Sequence, residues 1–154
     1  MIRVLFVCHG NICRSPMAEF VMKDMVAKQG LEDKFYIASA ATSTEEIWRG
    51  VGNPVYPPAQ RELTKHGISC DGKRAVQVTR EDYDKYDIII CMDSNNMRNI
   101  KRIIPSDPES KIHKLMDFAN GGDVADPWYT GDFETTYRDV LRGCKGVLEC
   151  LLNK

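Results

Sequence analysis

The residues best suited to chemistry form one contiguous stretch, Cys8-His9-Gly10-Asn11-Ile12-Cys13-Arg14-Ser15-Pro16. A thiol, five intervening residues, then Arg and Ser opening a helix make an arrangement that can hold an oxyanion and attack it. Five residues are enough to curl the backbone so that successive N–H groups point at one centre. Gly10 opens torsions closed to other residues, and Asn11 tolerates a left-handed backbone better than most non-glycine types. A helix starting at Ser15-Pro16 adds its free N–H groups and positive dipole end to the same point. Arg14 supplies a planar fork matched to two oxygens of a phosphate. With Cys8 at the bottom of this nest, the N–H groups, the helix end and Arg14 all favour a thiolate, and Ser15 has a hydrogen bond to give it. The chemistry implied is nucleophilic attack on bound phosphate. The stretch lacks the Gly-x-x-x-x-Gly-Lys-Ser/Thr pattern of nucleotide loops, so ATP or GTP binding is not indicated.

A thiolate that expels an alkoxide or phenolate needs a proton donor for the leaving oxygen. Asp126, confined to extended backbone by Pro127, is a candidate held on a loop. Trp128 and Tyr129 follow it and would wall a slot for a flat ring, with Trp48 on a proline-rich loop as the opposite wall and Ile12 inside. No metal is expected. Cys8, His9 and Cys13 sit beside Arg14 in a nest that repels cations, and His66 and His113 lie elsewhere without ligand spacing. His66 reads as a helix C-terminal residue and His113 as a strand surface position.

The elements that position these groups alternate between buried strands and amphipathic helices. Ile2–Val7 and 87–92 are near-continuous apolar runs, as for strands buried on both faces, and 35–40 and 112–116 read as two more. Ala18, Val21, Met22, Met25 and Val26 form a helical stripe that stops at Gly30. Helices are also expected over 58–66, over 79–86 capped by Thr79, and after a cap at Asp93 or Ser94 with Met97, Ile100, Ile103 and Ile104 on one face. The last is the clearest, with Tyr137, Val140, Leu141, Cys144, Val147, Leu148, Leu151 and Leu152 on one side, although Gly143 and Gly146 weaken it. Residues 41–58 and 121–132 read as loops. The fold class expected is α/β: a single three-layer domain over 1–154, with a four-stranded parallel sheet and helices on both faces. Ligands of such sheets bind outside the strands' carboxyl ends, where the Cys8–Pro16 loop lies.

The 154 residues suit one domain, with 43% hydrophobic and 28% charged residues. A net charge of -1 gives no overall pull toward nucleic acid or an anionic membrane, and no apolar run is long enough to cross a bilayer. Of six cysteines, Cys91, Cys144 and Cys150 fall in apolar patterns. With no secretion signal, reduced thiols and a cytoplasmic location are expected.

The chain resembles the low-molecular-weight protein tyrosine phosphatases. The resemblance rests on the Cys-x5-Arg-Ser loop with Gly10-Asn11-Ile12-Cys13 and Pro16, and on Asp126-Pro127-Trp128-Tyr129. Ser39-Ala40-Ala41, Gly52-Asn53-Pro54, Gln77-Val78-Thr79, Cys91-Met92-Asp93 and the closing helix extend it along essentially the whole chain. It implies a Rossmann-like fold of the phosphotyrosine phosphatase I type and hydrolysis of protein phosphotyrosine without cofactor. Cys8 would be the nucleophile, Arg14 the phosphate-binding group and Asp126 the general acid. His9 to Cys13 and Ser15 would form the phosphate loop, open to inorganic phosphate or similar oxyanions. The resemblance further implies that Asn11, Ser15 and Ser39 brace the loop and that Cys13 pairs with Cys8 under oxidation. It also implies phosphotyrosine rather than phosphoarginine, because related arginine phosphatases carry a small Thr where Ile12 stands. Where many members read His-x-Ala-Arg, linked to the bracing network, this chain reads Lys73-Arg74-Ala75-Val76, and no role is assigned to Lys73. Two alternatives stay open: an arsenate reductase of the same fold, using a relay such as Cys70 and Cys91, and a phosphate-binding module without turnover.

Overall fold

The computed structural model describes residues 1–153. Four parallel strands, β1 (Ile2–Cys8), β2 (Phe35–Ala41), β5 (Ile88–Cys91) and β6 (Ile112–Lys114), form one sheet in the order β2-β1-β5-β6. β1 pairs with β2 from Ile2 opposite Phe35 to Cys8 opposite Ala41, and with β5 from Val4 opposite Ile88 to Val7 opposite Cys91. Cys8 therefore ends a strand flanked on both sides, and the loop after it leaves the sheet at the point where the strand order reverses.

Side chains alternate across a strand, and β1 divides its residues between two cores accordingly. Val4, Phe6 and Cys8 join α1 (Arg14–Lys28), α2 (Pro57–Lys65) and α6 (Phe133–Leu152) through Met17, Met22, Leu63, Val140 and Leu148. Leu5 and Val7 face the other way, against Tyr83 of α3 (Asp82–Lys85) and Ile100 of α4 (Ser94–Ile100). β5 repeats the division, Ile88 and Ile90 on one side and Ile89 and Cys91 on the other. The expected three-layer arrangement of parallel sheet and helices is present. No helix among the described residues is long and apolar enough to cross a membrane.

Several boundaries differ from those read in the sequence. The first helix begins at Arg14 with Cys13 at its cap, so Pro16 lies within the first turn, where a missing N–H costs nothing. The Ser15 hydroxyl is thereby free for another partner. Residues 41–58 hold a small hairpin, β3 (Ile47–Trp48) and β4 (Val51–Gly52), whose turn places Arg49 at φ 50° and Gly50 at φ 79°. Positive φ at both turn positions is what a two-residue hairpin requires, and Arg at the first of them gives no sequence signal for it. Glu81 rather than Thr79 caps α3, and α4 is capped by Asp93 but ends at Ile100. β6 stops at Lys114, where a short 3-10 turn over Leu115–Phe118 follows. The loop before α6 contains α5 (Pro127–Thr130).

Gly143 and Gly146 have a packing reason. A Cβ on Gly146 would come within 1.8 Å of the Phe118 carbonyl oxygen, and one on Gly143 within 2.4 Å of the Leu115 side chain. The glycines let α6 press against the 3-10 turn. His66 caps the end of α2 and stacks on Tyr137 of α6, ring centroids 3.7 Å apart.

Candidate active site

At the carboxyl end of β1 the chain turns through a loop that wraps the Cys8 sulfur. Asn11 takes φ 60°, the left-handed conformation that its short amide tolerates, and its N–H points back at Cys8 Sγ at 3.3 Å. Ser15 Oγ lies 2.9 Å from the same sulfur. Among the described residues, the N–H groups of Gly10, Ile12, Cys13, Arg14 and Ser15 have no protein acceptor. Unpaired N–H groups at a loop that opens a helix are the raw material of an anion site.

The loop keeps its shape through a buried polar network. Asn11 uses both amide protons, to Ser15 Oγ at 2.8 Å and Ser39 Oγ at 2.9 Å, and its carbonyl oxygen accepts the Val76 N–H at 3.1 Å. Ser39 in turn donates to Glu19 Oε1 at 2.6 Å. The resemblance implied bracing by Asn11, Ser15 and Ser39; all three are buried and join one another here. Glu19 and Lys73 complete the cluster, with Lys73 Nζ donating to the Ser39 carbonyl at 2.9 Å. Glu19 was not marked in the sequence, and Lys73 was noted there only as a departure from the family's pattern, without a role. The pairing of Glu19 with Lys73 joins residues 54 positions apart and follows no motif.

Arg14 is buried, and its guanidinium is aimed from three directions. Nη1 donates to Asp93 Oδ2 at 2.6 Å and to the Val124 carbonyl at 2.9 Å, while Nη2 lies 3.4 Å from Asp126 Oδ2. Burial works against the charge, but the Cys8 sulfur, Asp93 and Asp126 outweigh it and hold Arg14 above its ordinary pKa. Asp93 serves two elements, since its other oxygen caps α4 through the Asn96 N–H at 2.7 Å. The sequence marked Asp93 as a possible cap and missed its pairing with Arg14.

Asp126 caps α5 by accepting the Trp128 N–H on Oδ1 at 3.0 Å, and Pro127 occupies the first helical position. The other oxygen faces Arg14. Burial, then the charges of Cys8 and Asp126, push the Cys13 thiol well above its ordinary pKa, with Arg14 opposing them. Cys13 is therefore a protonated neighbour of Cys8. All six cysteines are free, and Cys91 is fully buried.

These groups meet at one open cavity of about 180 Å³, lined by Cys8 and Arg14 at its base and by Asp126, Trp128 and Tyr129 on one side. His9, Gly10, Ile12 and Cys13 complete the loop side of it. Trp48 does not form the opposite wall. It lies on the hairpin, 74% exposed, with the Arg49 guanidinium over its ring. Glu45 and Glu46 also line the cavity, Glu45 paired with His9 at 2.9 Å. The sequence favoured the aromatic residue because a ring binds rings, but the hairpin carries Trp48 away from the mouth. Trp128 is backed by Tyr56, ring centroids 4.9 Å apart. Among the described residues, no group of three or more His, Cys, Asp or Glu side chains is placed to hold a metal ion.

A parallel α/β sheet with a thiol at the end of its central strand, an oriented arginine and an adjacent acid defines a phosphate-loop protein of the cysteine-dependent kind. Comparison with known proteins narrows the class. Residues 3–154 match the family model for low molecular weight phosphotyrosine protein phosphatase. The low molecular weight protein-tyrosine-phosphatase YfkJ of Bacillus subtilis is 42% identical over 151 residues, covering 96% of this chain and 94% of the relative. Its crystal structure superposes with a TM-score of 0.92, covering 99% of this chain and 96% of that one. A Gallus gallus relative named low molecular weight phosphotyrosine protein phosphatase is 44% identical over 152 residues, 95% of this chain and 93% of its own. The crystal structure of a Streptococcus pyogenes low molecular weight protein tyrosine phosphatase is 45% identical with a TM-score of 0.85, covering 98% and 93%. The chain belongs to the low-molecular-weight protein tyrosine phosphatase family and is an enzyme of that kind.

Proposed function

We propose that this enzyme hydrolyses phosphotyrosine in proteins through a phosphocysteine. The observation that carries this reading is that Cys8, Arg14 and Asp126, from distant parts of the chain, line one cavity. The Asn11 N–H at 3.3 Å and the Ser15 hydroxyl at 2.9 Å both reach the Cys8 sulfur, the atom that attacks. The sulfur attacks phosphorus in line; an S–P bond forms as the P–O ester bond breaks. Asp126 gives its proton to the departing phenolate oxygen. Arg14 and the free loop N–H groups hold the equatorial oxygens through the transition state. Asp126, now a carboxylate, takes a proton from water as that water attacks the phosphocysteine, releasing phosphate and the Cys8 thiolate.

Ile12, Trp128 and Tyr129 give the cavity apolar sides suited to an aromatic ring, and Ile12 stands where the resemblance puts a small Thr in arginine phosphatases. Reduced cysteines, including the nucleophile, suit a cytoplasmic enzyme.

The test is hydrolysis of p-nitrophenyl phosphate in EDTA and reductant, wild type beside Cys8→Ser. Turnover in wild type that vanishes in the variant supports the mechanism, and a phosphopeptide panel then defines the substrate. A folded but inactive wild type would overturn it, leaving phosphate binding or arsenate reduction to be assayed in its place. Replacing Ile12 with Thr is expected to lower the preference for phosphotyrosine over phosphoarginine.

A further inference from the structure

We propose that Glu46 is a specificity-determining residue: its carboxylate, lying on the phosphate loop, receives a Lys or Arg side chain that flanks the phosphotyrosine of a protein substrate. The proposal rests on the reading of the cavity as a phosphotyrosine site.

Glu46 lines the same cavity as Cys8, Arg14 and Asp126. Its side chain is fitted to the loop, since a Cβ on Gly10 would come within 3.1 Å of Glu46 Cγ. Glycine at position 10 leaves the room that Glu46 occupies. The backbone that carries Glu46 is tied down as well. Ser43 N–H donates to the His9 carbonyl at 3.0 Å, Ile47 N–H to the Thr44 carbonyl at 3.0 Å, and Asn53 N–H to the Glu46 carbonyl at 2.8 Å. Ile47 packs against Ile12, Cys13 and Ala75. The carboxylate therefore sits on a segment anchored to the phosphate loop itself.

Glu46 is half-buried, and among the described residues its carboxylate has neither an ion-pair nor a hydrogen-bond partner. The cations of the neighbourhood are engaged elsewhere. His9 pairs with Glu45, Arg14 with Asp93 and Asp126, and the Arg49 guanidinium lies over the Trp48 ring. The Glu46 charge reaches the loop, where it adds to the causes that push the Cys13 thiol up. An uncompensated carboxylate beside a site for a phosphate dianion repels what the site must bind. A substrate that brings its own cation removes that cost, and one that brings further carboxylates adds to it. The ring of the phosphotyrosine goes to the apolar sides, so the cation has to come from a neighbouring residue of the substrate chain. Lys and Arg suit this, because their stems lie along apolar surface while the charged head reaches a polar group. Glu45 is no equivalent receptor, being already paired with His9 and 71% exposed.

The experiment uses two phosphotyrosine peptides of equal length, one with Lys on both sides of the phosphotyrosine and one with Glu. kcat/KM is measured on each for wild type, Glu46→Gln and Glu46→Lys, at low and high salt. Wild type is expected to prefer the Lys peptide roughly three- to tenfold at low salt, and less at high salt. Glu46→Gln should bring the ratio to within about twofold, and Glu46→Lys should reverse it. A wild type without preference, or a preference that survives both substitutions, would overturn the proposal. So would an equal fractional loss on both peptides, which is what a merely structural role produces. Glu46→Gln is nearly isosteric and carries the test if the Lys variant does not fold. Wild type that hydrolyses neither peptide nor p-nitrophenyl phosphate would instead sink the parent mechanism, so the two failures are distinguishable.

Discussion

Asp126 does two jobs with one carboxylate, capping α5 with one oxygen and facing Arg14 with the other. Asparagine in its place keeps the cap but has no acidic proton for a leaving group. The Asp126→Asn variant is therefore expected to fold normally and to lose about 10²- to 10⁴-fold in kcat on phosphotyrosine. The loss should be smaller on p-nitrophenyl phosphate, whose leaving group needs less protonation, and comparing the two substrates checks this. An equal loss on both would argue against proton donation. Cys13 supplies a second prediction. Its thiol is held protonated, so it does not compete with Cys8 as nucleophile. Once peroxide oxidises Cys8 to a sulfenic acid, the Cys13 sulfur can displace water and form a disulfide. Peroxide-treated wild type is expected to regain activity with dithiothreitol, whereas Cys13→Ser should be driven to higher oxidation states and stay inactive. Equal recovery in both would remove Cys13 from that role.

The relation between α6 and the 3-10 turn reverses a propensity argument. On an exposed helix, glycine to alanine stabilises by about 1 kcal/mol. At Gly146 the added Cβ meets the Phe118 carbonyl, and backbone on both sides leaves little room to give. Gly146→Ala is expected to destabilise by roughly 1–3 kcal/mol, read from urea unfolding; a stabilised variant would show that the helix can move. The edge strand depends on a carboxylate. Asp107 accepts the Tyr83 hydroxyl at 2.7 Å and the N–H groups of Lys111 at 2.7 Å and Ile112 at 3.0 Å, tying β6 to α3. Burial opposes its ionisation, but these hydrogen bonds prevail and hold its pKa below the usual 3.8. A depressed folded-state pKa gives stability that is present above the unfolded value and is lost as pH falls through the folded one. Acidification below about pH 4 should thus weaken wild type more steeply than Asp107→Asn. Parallel acid slopes would mean that Asp107 contributes nothing to the acid transition.

At the scale of the molecule, Arg14 is the point where separate regions meet. It opens α1, pairs with Asp93 ahead of α4, and holds the Val124 carbonyl before α5. The loop N–H groups and this guanidinium concentrate positive potential in a chain whose net charge is only -1. An oxyanion that binds the folded site and not the unfolded chain must stabilise the whole molecule. The gain is about 2.7 kcal/mol at a hundredfold excess over Kd. Phosphate or vanadate is expected to raise the Tm of wild type, and Arg14→Ala should lose most of that rise. An equal rise in both would place the bound anion elsewhere.

The sequence by itself determined what depends on near neighbours. The apolar run of β1, the helical stripe of α1 and the nine residues from Cys8 to Pro16 are local patterns whose geometry follows from backbone torsions and periodicity. That is why the sheet, the loop and its thiol were legible. Asp126 was legible only as an acid beside a proline until the resemblance gave it a place. Tertiary structure decided which distant side chains share the site. It set Glu45 and Glu46 in the lining of the cavity and left Trp48, exposed on the hairpin, out of it. It paired Lys73 with Glu19 behind the loop, and it made Gly146 a contact rather than a weakness. No spacing rule encodes such contacts, since each depends on how separately formed segments pack against the sheet.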